Sequence, residues 1–243
     1  MCYYSSISVG FKILETRFGA RFVQTEAFQP VYSVSAFTFP LMPVITNEHP
    51  DQIELLHWGL IPDWTKDNVT ALKLKERGLN ARCETVCERP MFRQCIRAKR
   101  CLVLADGFFE WRHYNNKRYP YYIRLKNHEQ FAFAGIWDQW ADKESGEVVK
   151  TFSIITTEAN SLLAEIHNTK KRMPVILPKD IEKTWLNNSL TLEDTSAMLK
   201  PYPADKMEAY TVDRSIARLG LNITVSSILS EKKYPDLPTL VGA

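Results

Sequence analysis

The feature of this sequence that most constrains its fold is a series of short strand-like segments in the middle of the chain. Five of them follow one another, at residues 101–104, 108–114, 121–126, 131–137 and 151–157. Asn115-Asn116 is a hairpin turn signal between the second and third segments. Phe131 to Trp137 is apolar on both faces, which is typical of a central strand. The series predicts a mixed, mostly antiparallel, barrel-like sheet.

A few short helices are predicted around these strands. Pro90 suits the first turn of a helix that runs to about Arg100. Thr157 or Asn160 can cap a second helix, from Ser161 to His167, whose apolar stripe would face the core. Strands interrupted by such helices favour the α+β class.

Length and composition are those of an ordinary globular protein. The 243 residues are 45% hydrophobic and 24% charged, and no change in composition marks a linker. We therefore expect a single domain over residues 2–230, followed by a C-terminal tail over residues 231–243 that is charged, contains prolines and forms a loose end. No signal peptide and no apolar run of about 18 residues is present, so we expect a cytoplasmic protein without a membrane span.

The cysteines argue against two kinds of site. Their number is odd, at five, and no Cys-x-x-Cys pair occurs among them. We therefore expect neither a disulfide framework nor a metal site. We also expect no small-molecule cofactor.

Positive charge is concentrated in one segment rather than spread over the chain. The net charge is only +3, whereas residues 82–100 hold six basic side chains against two acidic ones. Arg93, Arg97 and Arg100 would share one face of the predicted helix. Such a face can follow a row of phosphates, with an affinity that falls with salt. It can equally be a solvated helix surface, and charge alone leaves both interpretations open.

Met1-Cys2 is the motif with the most specific chemistry. If Met1 is removed, Cys2 carries a free α-amine and a thiol on adjacent carbons. The amine can attack an aldehyde to give a Schiff base, and the thiol can then close a five-membered thiazolidine ring. Unperturbed pKa values of about 8 for the amine and about 8.5 for the thiol make both groups usable near neutral pH. A cysteine in second position is also common by chance, so the dipeptide needs support from the rest of the chain.

Three other polar residues are candidates for chemistry, and each has a plainer alternative. Glu110 lies among aromatic residues, where burial would raise its pKa toward the range of a general acid or base; it could instead be a solvated strand-edge glutamate. His167 ends a predicted helix and could be a capping or core histidine. Asn80 could bind a substrate oxygen or stabilise a turn. Trp58 and Trp64 could form a stacking platform or belong to the apolar core.

Five motifs occur in an order that resembles one known family. They are Met1-Cys2, Trp58-Gly59-Leu60-Ile61-Pro62 with Trp64, Asn80-Ala81-Arg82 with Glu84-Thr85, Arg100-Cys101-Leu102-Val103 with Ala105-Asp106-Gly107-Phe108-Phe109-Glu110-Trp111, and Ile166-His167 with Arg172-Met173-Pro174-Val175-Ile176-Leu177. Together they are similar to the SRAP family, the SOS-response-associated peptidases or abasic-site processing proteins. The resemblance covers most of the chain.

The resemblance implies a single-domain, barrel-like protein that binds single-stranded DNA at an abasic site and crosslinks to it. By motif, Cys2 is the nucleophile and Asn80 positions the deoxyribose. Glu110 is the acid and base near the amine, and His167 acts on the sugar. From the resemblance and the basic segment together, the candidates for DNA binding are Trp58, Trp64, Arg82, Phe92, Arg93, Arg97, Thr157 and Arg172.

Two departures from the family and two other functions remain. One departure, Phe109 in place of a common tyrosine, puts little at risk. The family often begins Met-Cys-Gly-Arg, whereas Tyr3 and Tyr4 stand here, so a contact that the arginine would make is missing. Cys2 with His167 could also be the nucleophile and base of a cysteine-dependent peptidase, whose smallest activity would be self-removal of Met1. A passive single-strand binder, in which Cys2 is incidental, is the third possibility. The main prediction is a monomer with crosslinking, lyase-like and (auto)peptidase activity on single-stranded DNA that carries an abasic site.

Overall fold

The computed structural model describes residues 2–217 and 223–241, which form sheets, α-helices and short 3-10 turns. The strands are β1 (Tyr4–Ile7), β2 (Arg21–Phe22), β3 (Val31–Ser35), β4 (Leu41–Thr46), β5 (Gln52–Trp58), β6 (Asn80–Arg82), β7 (Arg100–Ala105), β8 (Gly107–Tyr114), β9 (Lys117–Leu125), β10 (Phe131–Ala141), β11 (Val148–Glu158), β12 (Arg172–Pro174), β13 (Ile176–Leu177) and β14 (Met207–Thr211). The helices are α1 (Phe11–Phe18), α2 (Asn68–Arg77), α3 (Cys95–Ala98), α4 (Ser161–Ile166), α5 (Glu182–Trp185) and α6 (Leu192–Ala197). None of the helices so described is long and apolar enough to cross a membrane.

Five strands close into a barrel. β4 pairs antiparallel with β5 and β7, and β10 pairs antiparallel with β7 and β11. β5 and β11 then pair in parallel, with Phe152 opposite Trp58, and this parallel pair closes the ring. Trp58, Phe133 and Phe152 are fully buried and belong to one continuous apolar core. The mixed, mostly antiparallel, barrel-like sheet and the α+β class are confirmed.

A second sheet brings the N-terminus beside the middle of the chain. Its strand order is β14-β9-β8-β1-β3. β1 lies antiparallel to β8, with Tyr4 opposite Phe109. The predicted hairpin joins β8 to β9, and Asn115-Asn116 takes the positive φ angles, +47° and +58°, that a two-residue hairpin turn requires.

A buried carboxylate fixes the strand that follows Cys2. Asp106, in the turn between β7 and β8, accepts hydrogen bonds from the Ser6 hydroxyl at 2.5 Å and from the Ser8 backbone N–H at 2.6 Å. The Ser8 hydroxyl donates to the same carboxylate, also at 2.6 Å. Charged acceptors make stronger hydrogen bonds than neutral ones. β1, and with it the approach to Cys2, is therefore held in one place.

The predicted helix over residues 90–100 is wrong for most of its length. Only Cys95–Ala98 forms a helix, and turns precede it. Arg100 begins β7 and is fully buried, and its guanidinium donates to the backbone carbonyls of Ile96, Arg97, Trp185 and Asn187. Arg93 and Arg97 stay exposed. Arg100 is therefore not part of the predicted basic face, because its guanidinium is buried and bonded to backbone carbonyls.

The C-terminal tail is held against the second sheet. Asp236 accepts hydrogen bonds from Lys117 Nζ at 2.8 Å and from the Tyr119 hydroxyl at 2.6 Å. The Tyr234 hydroxyl donates to the carbonyl of Val212 at 2.9 Å. The expected loose end is therefore wrong for residues 231–241, while residues 242–243 lie outside the described part of the chain. The domain boundary at residue 230 stays a prediction.

Candidate active site

The structure brings the four predicted catalytic residues together at the N-terminal end of β1. Cys2 precedes β1, Asn80 opens β6, Glu110 lies in the middle of β8, and His167 follows α4. Each is placed by a different element, and the pairings among these elements set the distances between the side chains.

Cys2 is buried and its thiol is protonated at rest. Its side chain has no exposed surface, and Sγ donates to the carbonyl of Tyr4 at 3.6 Å. Burial raises the pKa of the Cys2 thiol well above its usual range, and the negative charge of the neighbouring Glu110 raises it further. The thiol therefore needs a nearby base before it can react as a thiolate.

Asn80 holds the backbone of Cys2. β6 pairs in parallel with β11, with Asn80 opposite Ile154, and the Asn80 side chain donates from Nδ2 to the carbonyl of Cys2 at 2.9 Å. The other amide atom, Oδ1, is buried and accepts no hydrogen bond from any described group. An unsatisfied buried acceptor costs about 1–3 kcal/mol. A bound hydroxyl or amine that donates to this oxygen would recover that energy.

Glu110 is the group poised to exchange a proton near neutral pH. Its side chain is only 5% exposed, and burial raises its pKa from 4.5 to about 7. A carboxyl group with this pKa is present in both acid and carboxylate forms at physiological pH. That is the property a general acid or base requires.

His167 is neutral, and its tautomer is fixed by the backbone. Asn160 caps α4 by accepting from the N–H of Leu163 at 2.8 Å, as predicted, and the helix delivers His167 at its end. His167 Nδ1 lies 2.8 Å from the carbonyl of Arg172 and 3.8 Å from Glu110 Oε1. Because a carbonyl only accepts, Nδ1 carries the proton. Burial lowers the pKa of His167 to about 4, so Nε2 keeps its lone pair at neutral pH.

A cavity of about 510 Å³ opens over Glu110 and His167. Its walls combine aromatic side chains with basic ones: Tyr3, Tyr4, Phe37 and Trp111, and Arg118, Lys170 and Arg214. The ring of Tyr4 packs against that of Trp111 at 4.9 Å between centroids. Aromatic faces and positive charge together suit a single-stranded nucleic acid, which offers bases to stack and phosphates to neutralise.

Most of these wall residues were not identified from the sequence. Phe37 is 57% exposed and follows β3 in a 3-10 turn, far along the chain from any motif. Arg118 lies on the return strand of the hairpin, and no local pattern distinguishes it from a solvated arginine. Of these residues, Trp111 could have been identified from the sequence, because it stands next to Glu110 in the same motif.

The predicted DNA-binding residues divide into an exposed and a buried group. The exposed residues are Trp64, Arg82, Arg93 and Arg97. The buried residues, each with 8% or less of its surface exposed, are Trp58, Phe92, Thr157 and Arg172. The second group has almost no exposed surface in this structure, and a contact between these four side chains and DNA stays a prediction. Trp64, although 51% exposed, lies beside Lys99 and Asp138 in a separate small cavity rather than in the wall over Glu110.

Trp58 and Arg172 support the site from within. Trp58 packs on Phe152 and donates its indole N–H to the carbonyl of Leu79, next to Asn80. The guanidinium of Arg172 is tied to Glu84, while its carbonyl orients His167. Both residues therefore hold neighbouring groups of the site in position.

Comparison with known proteins decides the family. A family model described as SOS response associated peptidase (SRAP) matches residues 1–219. The chain belongs to the SRAP family. Among SRAP relatives, the abasic site processing protein YoaM of Bacillus subtilis (strain 168) is 41% identical over 187 residues, 76% of this chain and 78% of its own length. The abasic site processing protein HMCES of Xenopus tropicalis is 28% identical over 205 residues, 75% of this chain and 59% of its own.

A solved structure shares the SRAP fold seen here. A protein of Bacteroides thetaiotaomicron superposes with a TM-score of 0.90 at 38% identity, over 96% of this chain and 100% of its own. The SRAP match includes Cys2, Asn80, Glu110 and His167. Residues 223–241, which pack on the second sheet, lie beyond it.

Proposed function

We propose that this chain captures abasic sites in single-stranded DNA by forming a thiazolidine crosslink through Cys2. One observation carries the proposal: Cys2 is held by Asn80 on one side and adjoins, on the other, a carboxyl group with a pKa of about 7. The names of the relatives supply the substrate class. Removal of Met1, which lies outside the described residues, is part of the proposal because it frees the amine.

The closed deoxyribose has to open before it can react. Ring opening removes a proton from the C1′ hydroxyl and adds one to O4′, which yields the C1′ aldehyde. His167 offers the Nε2 lone pair as the acceptor, and Glu110 in its acid form offers the proton. After this step Glu110 is a carboxylate, the form that the next steps need.

The amine reacts first and the thiol second. The neutral Cys2 amine adds to C1′, and loss of one water leaves a C=N bond. The sulfur of Cys2 then bonds to C1′ while its proton passes to Glu110 and on to the nitrogen, so the net change is the loss of one water. Holding the amine and the aldehyde together is worth up to about 7–11 kcal/mol in well-oriented cases.

The state of the Cys2 thiol disfavours a peptidase. A cysteine nucleophile is activated by a lowered pKa, whereas the pKa of Cys2 is raised and its thiol donates to the Tyr4 carbonyl. An imine that forms first presents a strong electrophile to this weak nucleophile. The environment of Cys2 therefore favours aldehyde capture over attack on a peptide bond.

The test is a denaturing gel of protein incubated with single-stranded DNA that carries one abasic site. Protein that begins at Cys2 should give a band that survives denaturation, and so should Cys83→Ser, which removes another, half-buried thiol. Cys2→Ser should give at most a weaker adduct that borohydride traps. Protein that retains Met1, verified by intact mass, should bind without a stable adduct, because its Cys2 nitrogen is an amide. A stable adduct from that protein would refute the aminothiol mechanism and point to a lysine.

A further inference from the structure

Arg214 differs from the other basic residues of the cavity wall because two tyrosines hold it. The carbon of its guanidinium lies 4.4 Å from the ring centroid of Tyr119 and 4.9 Å from that of Tyr234. Both distances are within the range of a cation–π interaction. Among residues 2–217 and 223–241, no carboxylate pairs with this guanidinium, and its buried Nε makes no hydrogen bond. Arg214 is therefore held in place by aromatic contacts, and no described carboxylate neutralises its charge.

The two tyrosines are themselves fixed, and the C-terminal tail fixes them. Their rings meet edge to face, with centroids 5.1 Å apart. The Tyr119 hydroxyl donates to Asp236 in the tail, and Asp236 also accepts from Lys117. Tyr234, which belongs to the tail, donates to the carbonyl of Val212. The surface that holds Arg214 is thus assembled from β9, the segment after β14 and the tail.

The chemistry of this arrangement fits a phosphate. A cation–π contact uses the charge of the guanidinium and leaves the N–H donors in its plane free. Such donors match phosphate oxygens in a bidentate manner. Arg118 and Lys170 line the same cavity, and Glu110 is the one carboxyl group among its described lining residues. An anion that enters the cavity therefore meets several positive charges.

We infer that Arg214 binds a backbone phosphate of the DNA strand next to the abasic nucleotide, and that the C-terminal tail holds Arg214 in position for this contact. The inference rests on the proposed function, since the phosphate belongs to the strand whose sugar reaches Cys2. It assigns a binding role to a tail that lies beyond the residues matched by the family model.

The salt dependence of DNA binding tests the phosphate contact. Binding of a fluorescent single strand without an abasic site is measured by anisotropy over a range of salt concentrations. Each lost phosphate contact lowers the slope of log K against log salt by about 0.7 for single strands. Arg214→Ala should show this loss, and Arg214→Lys, which keeps the charge, should retain most of the slope. Arg77→Ala is the matched control, because Arg77 is an exposed arginine at the end of α2, outside the cavity wall.

A second variant tests the role of the tail. Tyr234→Ala should weaken binding in the direction of Arg214→Ala, and the double variant should be no weaker than Arg214→Ala alone, because the two residues act through one contact. Circular dichroism and a thermal melt check that each variant is folded. If Arg214→Ala is folded and keeps the parental salt slope, the inference is wrong. The same holds if Arg214→Ala melts at a lower temperature but keeps the parental salt slope, because the residue then serves stability alone. Parental affinity and slope in Tyr234→Ala would overturn the role of the tail.

The crosslinking gel keeps this inference separate from the proposed function. If the parent protein crosslinks abasic DNA but Arg214→Ala leaves the salt slope unchanged, the phosphate contact is refuted and the crosslinking activity stands. If the parent protein does not crosslink but Arg214→Ala lowers the slope, the proposed chemistry fails and the phosphate contact stands.

Discussion

Replacing Glu110 with glutamine should stabilise the folded protein at alkaline pH while it slows crosslinking. The pKa of Glu110 is raised by burial from 4.5 to about 7. Between these two values the folded protein keeps a proton that the unfolded chain has released. Stability therefore falls as the pH rises through this window, and the loss is complete above pH 7 and absent below about pH 4.5.

The magnitude follows from the difference between the two pKa values. At about 1.36 kcal/mol per pKa unit, a difference of about 2.5 corresponds to about 3 kcal/mol of stability. The Glu110 side chain is only 5% exposed, so solvent screens little of the unfavourable free energy of its buried carboxylate. Glutamine has nearly the same shape and no charge to desolvate. Glu110→Gln should therefore gain up to about 3 kcal/mol over the parent at pH 8.5 and almost nothing at pH 4.5.

Denaturant unfolding of both proteins at pH 4.5, 7 and 8.5 measures this effect, and Glu182→Gln is the matched control. Glu182 is also a buried glutamate, but its carboxylate accepts hydrogen bonds from Arg17 at 2.9 and 2.7 Å. Removing one partner of a buried pair typically costs about 3–5 kcal/mol, so this variant should be destabilised. If the stability of the parent and of Glu110→Gln depended equally on pH, the loss of stability at alkaline pH could not come from ionisation of Glu110.

The same variant tests the chemical role. Glu110→Gln should crosslink abasic DNA about 10²–10⁴-fold more slowly, which is the usual contribution of a general acid or base. Its affinity for the DNA should stay near that of the parent, because glutamine preserves the shape of the cavity. A parental rate with intact binding would show that another group moves the proton.

Three further predictions concern other residues. His167→Ala should slow crosslinking in single-turnover gels and leave the salt dependence of binding unchanged; a parental rate would exclude His167 from ring opening. Arg82→Ala and Arg97→Ala should each flatten the salt slope of single-strand binding by about 0.7 per lost phosphate contact, and parental slopes for both would assign these arginines to solvent. Arg100→Met should cost several kcal/mol in denaturant unfolding, at about 1–3 kcal/mol for each carbonyl left without a donor. Arg93→Ala, at an exposed site, should stay within about 0.5 kcal/mol of the parent.

The strands of the sheets were predictable because their sequences carry local signals. Residues 131–137 are apolar on both faces, and in the structure they form part of β10, which pairs with strands on both sides. Asn115-Asn116 accepts positive φ angles, so the hairpin needed no long-range information. The closure of the ring was harder to foresee, since the parallel pairing of β5 with β11 joins segments about ninety residues apart.

Two helical regions were mispredicted for opposite reasons. α2 was missed because Ala71 is its one buried residue and the apolar side chains of Val69 and Leu72 are exposed, so the helix has no clear core-facing stripe. Its real signal is Asp67, which accepts a hydrogen bond from the N–H of Thr70 as the N-cap. The region after Pro90 has helical signals, but Arg100 finds its hydrogen-bond acceptors at residues 185 and 187. Tertiary contacts there outweigh the local preference.

The site was predictable where a motif covers it and unpredictable elsewhere. Glu110 and His167 stand in motifs, and the structure brings them to 3.8 Å from each other. Phe37 and Arg214 reach the same cavity from segments without such a motif. Arg214 also depends on a tyrosine twenty residues further along the chain. A wall assembled from distant segments leaves no periodicity or spacing for sequence reasoning to detect.

The pH dependence of crosslinking should follow from how burial sets the charges of the site. Burial keeps the Cys2 thiol protonated and His167 neutral, so Glu110, with a pKa of about 7, is the member of this set that titrates near neutrality. The free amine has an unperturbed pKa of about 8 and attacks only when neutral. The rate should therefore rise with pH as the amine loses its proton and fall as Glu110 loses the proton that opens the sugar, with a maximum between about pH 7 and 8. Single-turnover rates from pH 5.5 to 9.5 measure this profile. Glu110→Gln should lose the alkaline fall, and a fall that persists in that variant would place the essential acid elsewhere.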